Sequence, residues 1–247
     1  MRSYLKILHD VFEKEIQDRE VSRSTSKYRR RNDFLDALLD QKEDGAELSR
    51  IELKSLFLDL FVAGSDTSSD TLEWAMAELL LNPEAMARAR SELDEIIGEG
   101  KQVEESDVCR LPYLQAIVKE TLRLHPPAPF LIPQKAECDV EIFGYTIPKH
   151  TKVIVNAWAI ARDSEIWADP TCFKPERFLR SKVDYRGQHF ELIPFGAGRR
   201  ICPGPLLAFR MVHLLLASLL HAFCWKLPDG MGQRIWTREV RNHSLPR

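Results

Sequence analysis

The feature that most constrains this chain is a helical pattern running unbroken between two stops. Ser49 and Glu52 stand at the S-x-x-E spacing that lets each side chain close on the other's backbone N–H, and Asn82-Pro83 ends the pattern. A helix from Arg50 to Leu81 is about 48 Å long at 1.5 Å per residue, long enough to cross a whole domain. Near its middle lies Ala63-Gly64-Ser65-Asp66-Thr67-Ser68, a small and polar patch inside an apolar helix. Small residues leave room for something flat against the helix, and Ser or Thr hydroxyls can bend it by bonding back to a carbonyl. A close crossing of two helices would use the same patch equally well.

The elements before and after follow from periodicity. Leu5, Leu8, Phe12 and Ile16 recur at helical spacing, so the chain begins in an amphipathic helix. Val21 to Arg31 lacks periodicity and predicts a solvated loop, its Lys27-Tyr28-Arg29-Arg30-Arg31 run a charged connector rather than a nucleic-acid site. Asn32 or Asp33 can cap a short helix that turns Phe34, Leu35, Leu38 and Leu39 inward and ends near Gly45. Asn82 is expected to cap the next helix, with Pro83 at its first position and Gly98 past its end. Leu111-Pro112-Tyr113 opens another, which His125-Pro126-Pro127 stops. From Pro129 the texture turns to short strands, at 140–143, 145–147 and 153–155, with a short helix predicted within 158–167 and an irregular stretch from Phe173 onward.

That stretch leads into Phe195-Gly196-Ala197-Gly198-Arg199-Arg200-Ile201-Cys202-Pro203-Gly204, a loop punctuated by glycine ahead of an apolar helix from Pro205 to Phe223. Cys202 would sit just before a helix N-terminus, whose partial positive charge favours thiolate over thiol. Arg200 adds a cation able to reach an anionic group on a ligand. Such a thiolate suits a soft metal centre as an axial ligand. A buried cysteine in a Gly-rich turn is the plain alternative.

Composition narrows the classes further. A net charge of −2 gives no electrostatic case for nucleic acid or for an anionic membrane surface. The five cysteines are odd in number and form no C-x-x-C pair, which argues against disulfide scaffolding and a structural zinc site. No run of about 18 apolar residues is apparent, so no membrane-spanning helix is expected.

Four motifs together resemble the cytochrome P450 haem-thiolate monooxygenases. The loop matches F-x-x-G-x-R-x-C-x-G at Phe195, Gly198, Arg200, Cys202 and Gly204. Residues 63–68 match [AG]-G-x-[DE]-T-[TS]; Glu120 and Arg123 supply E-x-x-R; Pro175-Glu176-Arg177-Phe178 supplies P-E-R-F. An E-x-x-R pair alone is weak, because such pairs are usually solvated. The motifs occur in the family's order over residues 1 to 228 and most resemble plant microsomal members that hydroxylate terpenoids or phenolics.

The resemblance implies a mainly α fold with small antiparallel β-hairpins, the C-terminal half of the family's domain, with 1–247 a single partial domain. It implies haem b held by Cys202, with Arg200 at a propionate and Phe195, Gly198, Gly204, Ala63 and Gly64 beside the porphyrin. Thr67 with Asp66 would organise protons for dioxygen cleavage; Glu120, Arg123 and Arg177 would support the loop. Residues 57–64 and 128–132 correspond to segments lining a pocket for a small apolar substrate. Electrons would come from NADPH through a cytochrome reductase at the cytosolic face of the endoplasmic reticulum, where full-length members are anchored. Three departures are expected: the chain lacks the anchor and the family's earlier helices; Gln134 stands where relatives commonly carry Arg or His; and residues 229–247 form an atypical tail. A truncated, non-catalytic haem-binding product, or a peroxide isomerase or dehydratase, are the alternatives.

Overall fold

The computed structural model describes residues 2–25, 29–43, 48–98 and 100–228. The expected helix end near Gly45 and the tail at 229–247 lie outside these residues. The chain divides into two compact units, residues 1–66 and 67–247.

The first unit holds α1 (Arg2–Arg23), α2 (Phe34–Glu43) and the first half of α3 (Arg50–Leu81). Its core is Ile16, Leu35, Leu38, Leu39 and Leu53. The box at the start of α3 forms as expected: Ser49 N–H donates to Glu52 Oε2 at 2.7 Å and Glu52 N–H to Ser49 Oγ at 3.3 Å. Asp33 caps α2, its Oδ1 accepting the Asp36 N–H at 3.0 Å. Asp36 is fully buried, and its lone pairs are used by Arg19 Nη1 at 2.9 Å and by the N–H groups of Arg31 at 2.8 Å and Asn32 at 3.1 Å. Burying that carboxylate is tolerable only because it is so bonded. The same acidic face explains why α1 runs to Arg23, into the stretch expected as loop. Arg23 reaches Asp40 at 2.6 Å, which holds the last turn of α1 against α2.

The second unit holds the rest of α3, then α4 (Pro83–Ile96), a 3₁₀ turn at Glu105–Arg110 and α5 (Pro112–Leu124). Four short strands follow: β1 (Gln134–Lys135), β2 (Val140–Ile142), β3 (Tyr145–Ile147) and β4 (Lys152–Val153). They form two antiparallel ladders, β1 with β4 (Gln134 opposite Val153) and β2 with β3 (Ile142 opposite Tyr145). Next come α6 (Ala157–Ile160), α7 (Glu176–Leu179), a 3₁₀ turn at Gly198–Arg200 and α8 (Pro205–Ala222). The mainly α class with small hairpins is thus observed. α5 is the hub: it packs against α4, α7 and α8 and buries residues around most of its circumference, among them Leu114, Ile117, Val118, Glu120 and Arg123.

Local expectations fail at four places. Asn82 takes the N-cap position of α4 with Pro83 following, as expected, but its side chain makes no cap bond; its Nδ2 turns back to the Glu78 carbonyl at 2.8 Å and closes the end of α3 instead. The strand expected at 153–155 is found as β4 at Lys152–Val153, paired with β1, which lies ahead of the stretches expected as strands, and α7 lies in the stretch expected to be irregular. The fourth is α8, which by length and composition alone is apolar enough to cross a membrane, with a mean hydropathy of 1.5 over 18 residues. The expectation that no such stretch exists is corrected on that count. Its histidines and Arg210 hide the apolar run from a simple scan, yet Val212, Leu216 and Leu220 pack into the core shared with α4 and α5, as in a core helix.

Candidate functional site

The cysteine loop is closed by its own backbone. Cys202 N–H donates to the Phe195 carbonyl at 2.9 Å, joining its two ends, while Gly196 N–H reaches the Ile193 carbonyl at 2.9 Å and Ile201 N–H the Gly198 carbonyl at 3.2 Å. Two left-handed positions make these turns possible, Gly196 at φ 74° and Gly198 at φ 70°. A side chain would be strained at either. The Phe195 ring is half-buried, 5.4 Å from Tyr185 between centroids. Pro205 opens α8, and the Ala208 N–H to Gly204 carbonyl bond, at 2.9 Å, begins its hydrogen-bond ladder.

Within this frame Cys202 is exposed, which rules out the buried-cysteine alternative. Its Sγ accepts the Gly204 N–H at 3.3 Å, and a Cβ added at Gly204 would lie 3.8 Å from the sulfur. Arg200 is also exposed and makes no hydrogen bond or ion pair with other described residues. Leu206 and Leu207, in the first turn of α8, are 70% and 59% exposed, so apolar surface stands open beside the thiol. The loop therefore suits a haem-thiolate ligand: an accessible sulfur, an N–H donor that supports its negative charge, a free guanidinium and uncovered apolar side chains. Phe195, Gly198, Arg200, Cys202 and Gly204 are all brought together here.

The same unit also holds a buried ionic network. Glu120 and Arg123, both fully buried on α5, form a two-pronged pair, Nε to Oε2 at 2.7 Å and Nη2 to Oε1 at 2.8 Å. Arg177 of α7 adds a bond to Glu120 Oε1 at 3.0 Å, and the Lys174 N–H a fourth at 2.8 Å. The remaining donors of Arg123 go to the carbonyls of Ala161 and Pro170, each at 2.7 Å, and of Cys172 at 3.2 Å. Arg177 takes those of Ala168 at 2.9 Å and Asp169 at 3.3 Å. The E-x-x-R pair is thus the reverse of the solvated pair its spacing alone suggests. It ties the whole 161–177 stretch to α5.

The α3 patch is exposed as well. Ala63, Asp66 and Thr67 are exposed, and a Cβ at Gly64 would meet no described atom within 4 Å, so among the described residues no tight helix crossing is seen at Gly64. Bonding back to a carbonyl does occur, but at Thr71, whose Oγ1 donates to the Thr67 carbonyl at 2.8 Å. Ala63, Gly64 and Asp66 belong to the first unit, Thr67 and the cysteine loop to the second. Within the second, Leu131 of the 128–132 segment holds φ 50° and lies where it would meet a Cβ on Gly196 at 3.9 Å. That segment therefore borders the loop. Gln134 is exposed in β1.

Two features went unread in the sequence. His213, fully buried on α8, shares its Nδ1 with the Phe209 carbonyl at 2.5 Å; burial, with Lys119 nearby, pushes its pKa down to about 4. Gly187, at φ 78°, touches the cysteine loop from below. A lone glycine in an Arg-Gly-Gln context gives no signal of that approach.

A family model described as Cytochrome P450 matches residues 1–245. The chain is 56% identical over 225 residues to Cytochrome P450 76T24 of Catharanthus roseus, covering 91% of this chain and 45% of the relative. It is 57% identical to Geraniol 8-hydroxylase of the same plant over 83% of this chain and 42% of that one. To Carnosic acid synthase of Rosmarinus officinalis it is 52% identical, over 96% and 47%. A zebrafish cytochrome P450 solved with abiraterone superposes with a TM-score of 0.80 at 34% identity, covering 91% of this chain and 52% of that structure. The chain spans about half the length of the curated relatives it matches.

Proposed function

The chain belongs to the cytochrome P450 family, and from that membership we propose that it is the haem-binding part of a monooxygenase that hydroxylates a small apolar substrate, a terpenoid or phenolic. The observation that carries this is Cys202: an exposed sulfur at the head of α8, held by a loop closed through its own backbone and supported by the Gly204 N–H.

Haem b, when bound, supplies the activation of dioxygen. The chain's residues do the rest. Cys202 would hold the iron through its thiolate and lend it electron density. Gly204 N–H, aimed at Sγ, sets how much charge the sulfur keeps. Arg200 would meet a carboxylate of the group, and Phe195 and Gly198 would lie beside it; on α3, Ala63 and Gly64 keep a helix surface small enough for a flat ligand. Thr67 and Asp66 hold and pass protons. Glu120, Arg123 and Arg177 keep the loop's foundation rigid. The activity named in the relative Geraniol 8-hydroxylase supports a substrate of this kind. Electrons reach such a site from NADPH through a cytochrome reductase, at the endoplasmic reticulum membrane.

The test is spectroscopic. Haem-loaded protein, reduced and exposed to carbon monoxide, gives the Soret band for which the family is named, and Cys202→Ala abolishes it while protein remains folded. A folded, haem-loaded wild type without that band overturns the proposal. With reductase and NADPH, geraniol is the first substrate to offer.

A further inference from the structure

We propose that Gly187 is a positioning residue for Cys202, acting through Ile201, and that residues 183–187 are a brace fixing the height of the thiolate loop. The inference deepens the haem-thiolate reading and rests on it.

The brace is anchored independently of the loop. Lys119 on α5 donates from Nζ to the Val183 carbonyl at 3.2 Å and stands 3.9 Å from Asp184. Tyr185 is buried, and its ring bridges two partners: Phe195 at the loop's entrance, 5.4 Å away, and Phe209 of α8, 6.1 Å away. The segment thus grips both the stretch entering the loop and the helix leaving it. Gly187 then slides beneath the turn between them.

Its fit there admits no side chain. A Cβ at Gly187 would lie 2.7 Å from Ile201 Cδ1, 3.2 Å from the Gly196 carbonyl oxygen and 3.4 Å from Ala197 Cα. The first separation is shorter than carbon atoms tolerate, so the Ile201 side chain would have to turn away. Ile201 precedes Cys202 and bonds the turn at Gly198 through its N–H. Whatever part of that shift the side chain does not absorb falls on the peptide that carries the thiol. The oxygen contact presses on the left-handed turn at Gly196 as well. The φ of 78° at Gly187 adds backbone strain for any residue with a Cβ. By contrast, a Cβ at Gly198 would meet nothing within 4 Å. Loop height is therefore set from outside the motif, by a glycine eleven positions before Gly198.

The experiment compares Gly187→Ala, Ile201→Val and the double variant in the full chain, loaded with haem, reduced and treated with carbon monoxide. Two quantities are read: thermal midpoint, and the share of bound haem giving the thiolate band rather than the shorter-wavelength band of haem without thiolate. Gly187→Ala should shift at least half of the bound haem to the shorter-wavelength band. Ile201→Val, which lacks Cδ1, should keep the wild-type spectrum. The double variant should recover at least half of the lost thiolate band. If Gly187→Ala lowers only the thermal midpoint or the haem content, with the ratio of bands unchanged, the glycine is a fold element and the inference is wrong. A double variant no better than Gly187→Ala removes the route through Ile201. A wild type without a thiolate band defeats the function proposed above instead, so the two failures are distinguishable.

Discussion

The Glu120 network and the cysteine loop lie in the same unit and are built on opposite terms. In the network every donor turns inward: one fully buried carboxylate takes four bonds, and two guanidinium groups spend their remaining N–H groups on five carbonyls. In the loop the backbone closes on itself while the side chains stay open; Cys202, Arg200, Leu206 and Leu207 are all exposed. Closed polar networks rigidify a fold, whereas open, unmatched groups on a rigid frame are what a ligand can use. The comparison separates the part of the motif set that holds the structure from the part that does the chemistry.

The largest expected effect tests the closed region. Removing the Glu120 carboxylate strands Arg123 in a site with no solvent access. Losing one partner of a buried ion pair costs about 3–5 kcal/mol, much of the roughly 5–15 kcal/mol that keeps a domain folded. Glu120→Ala should therefore lower the urea midpoint severely or prevent folding, with Glu120→Gln intermediate because its amide oxygen still accepts. A midpoint within experimental error of wild type would show that the network is not a support.

A second effect, of roughly 3 kcal/mol at full extent, comes from the buried side of α8. His213 is held neutral, its pKa lowered to about 4 from an unperturbed 6.5. A depressed histidine binds fewer protons folded than unfolded, so stability is full above about pH 6.5 and falls as pH drops from there to about 4. The slope in that window is at most about 1.4 kcal/mol per pH unit. Urea unfolding at a series of pH values should show this loss, and His213→Leu should flatten it. An unchanged profile in the variant would assign the acid sensitivity elsewhere. Arg177→Ala should follow at about 1–3 kcal/mol: it removes one charged bond to Glu120 and the bonds to the Ala168, Asp169 and Cys172 carbonyls, but leaves Arg123 paired and the Cys172 and Asp169 carbonyls with their other donors.

Legibility in the sequence divides along the same line. The long helix was readable to its ends because Ser49, Glu52 and Pro83 act locally, through bonds to their own neighbours. The cysteine loop was readable because its glycines and Cys202 are consecutive in the chain. The triad was readable only as a motif, since its spacing gives no sign that Glu120 is buried or that Arg177 returns to it. Asn82 misled because two helix ends compete for one amide. Gly187 and His213 were silent: each matters through a neighbour distant in sequence, Gly196 and Ile201 for one, the packed core around α8 for the other. What acts through distant packing leaves no local pattern to read.

The smallest expected change in stability belongs to the residue on which the proposed chemistry depends most. Cys202 is exposed, and its side chain makes one described hydrogen bond, from the Gly204 N–H at 3.3 Å. That donor sits at the solvent-facing start of α8, where water can replace the sulfur. The loop's closure runs through the Cys202 backbone, which alanine keeps, and neither Gly196 nor Gly198 is altered. Cys202→Ala in the haem-free chain should therefore shift the unfolding free energy by less than about 0.5 kcal/mol, as a surface substitution does. Urea titration of the two haem-free proteins side by side measures it. A loss above about 2 kcal/mol would mean that the thiol is part of the scaffold, and the contrast between the closed network and the open loop would fail at its centre.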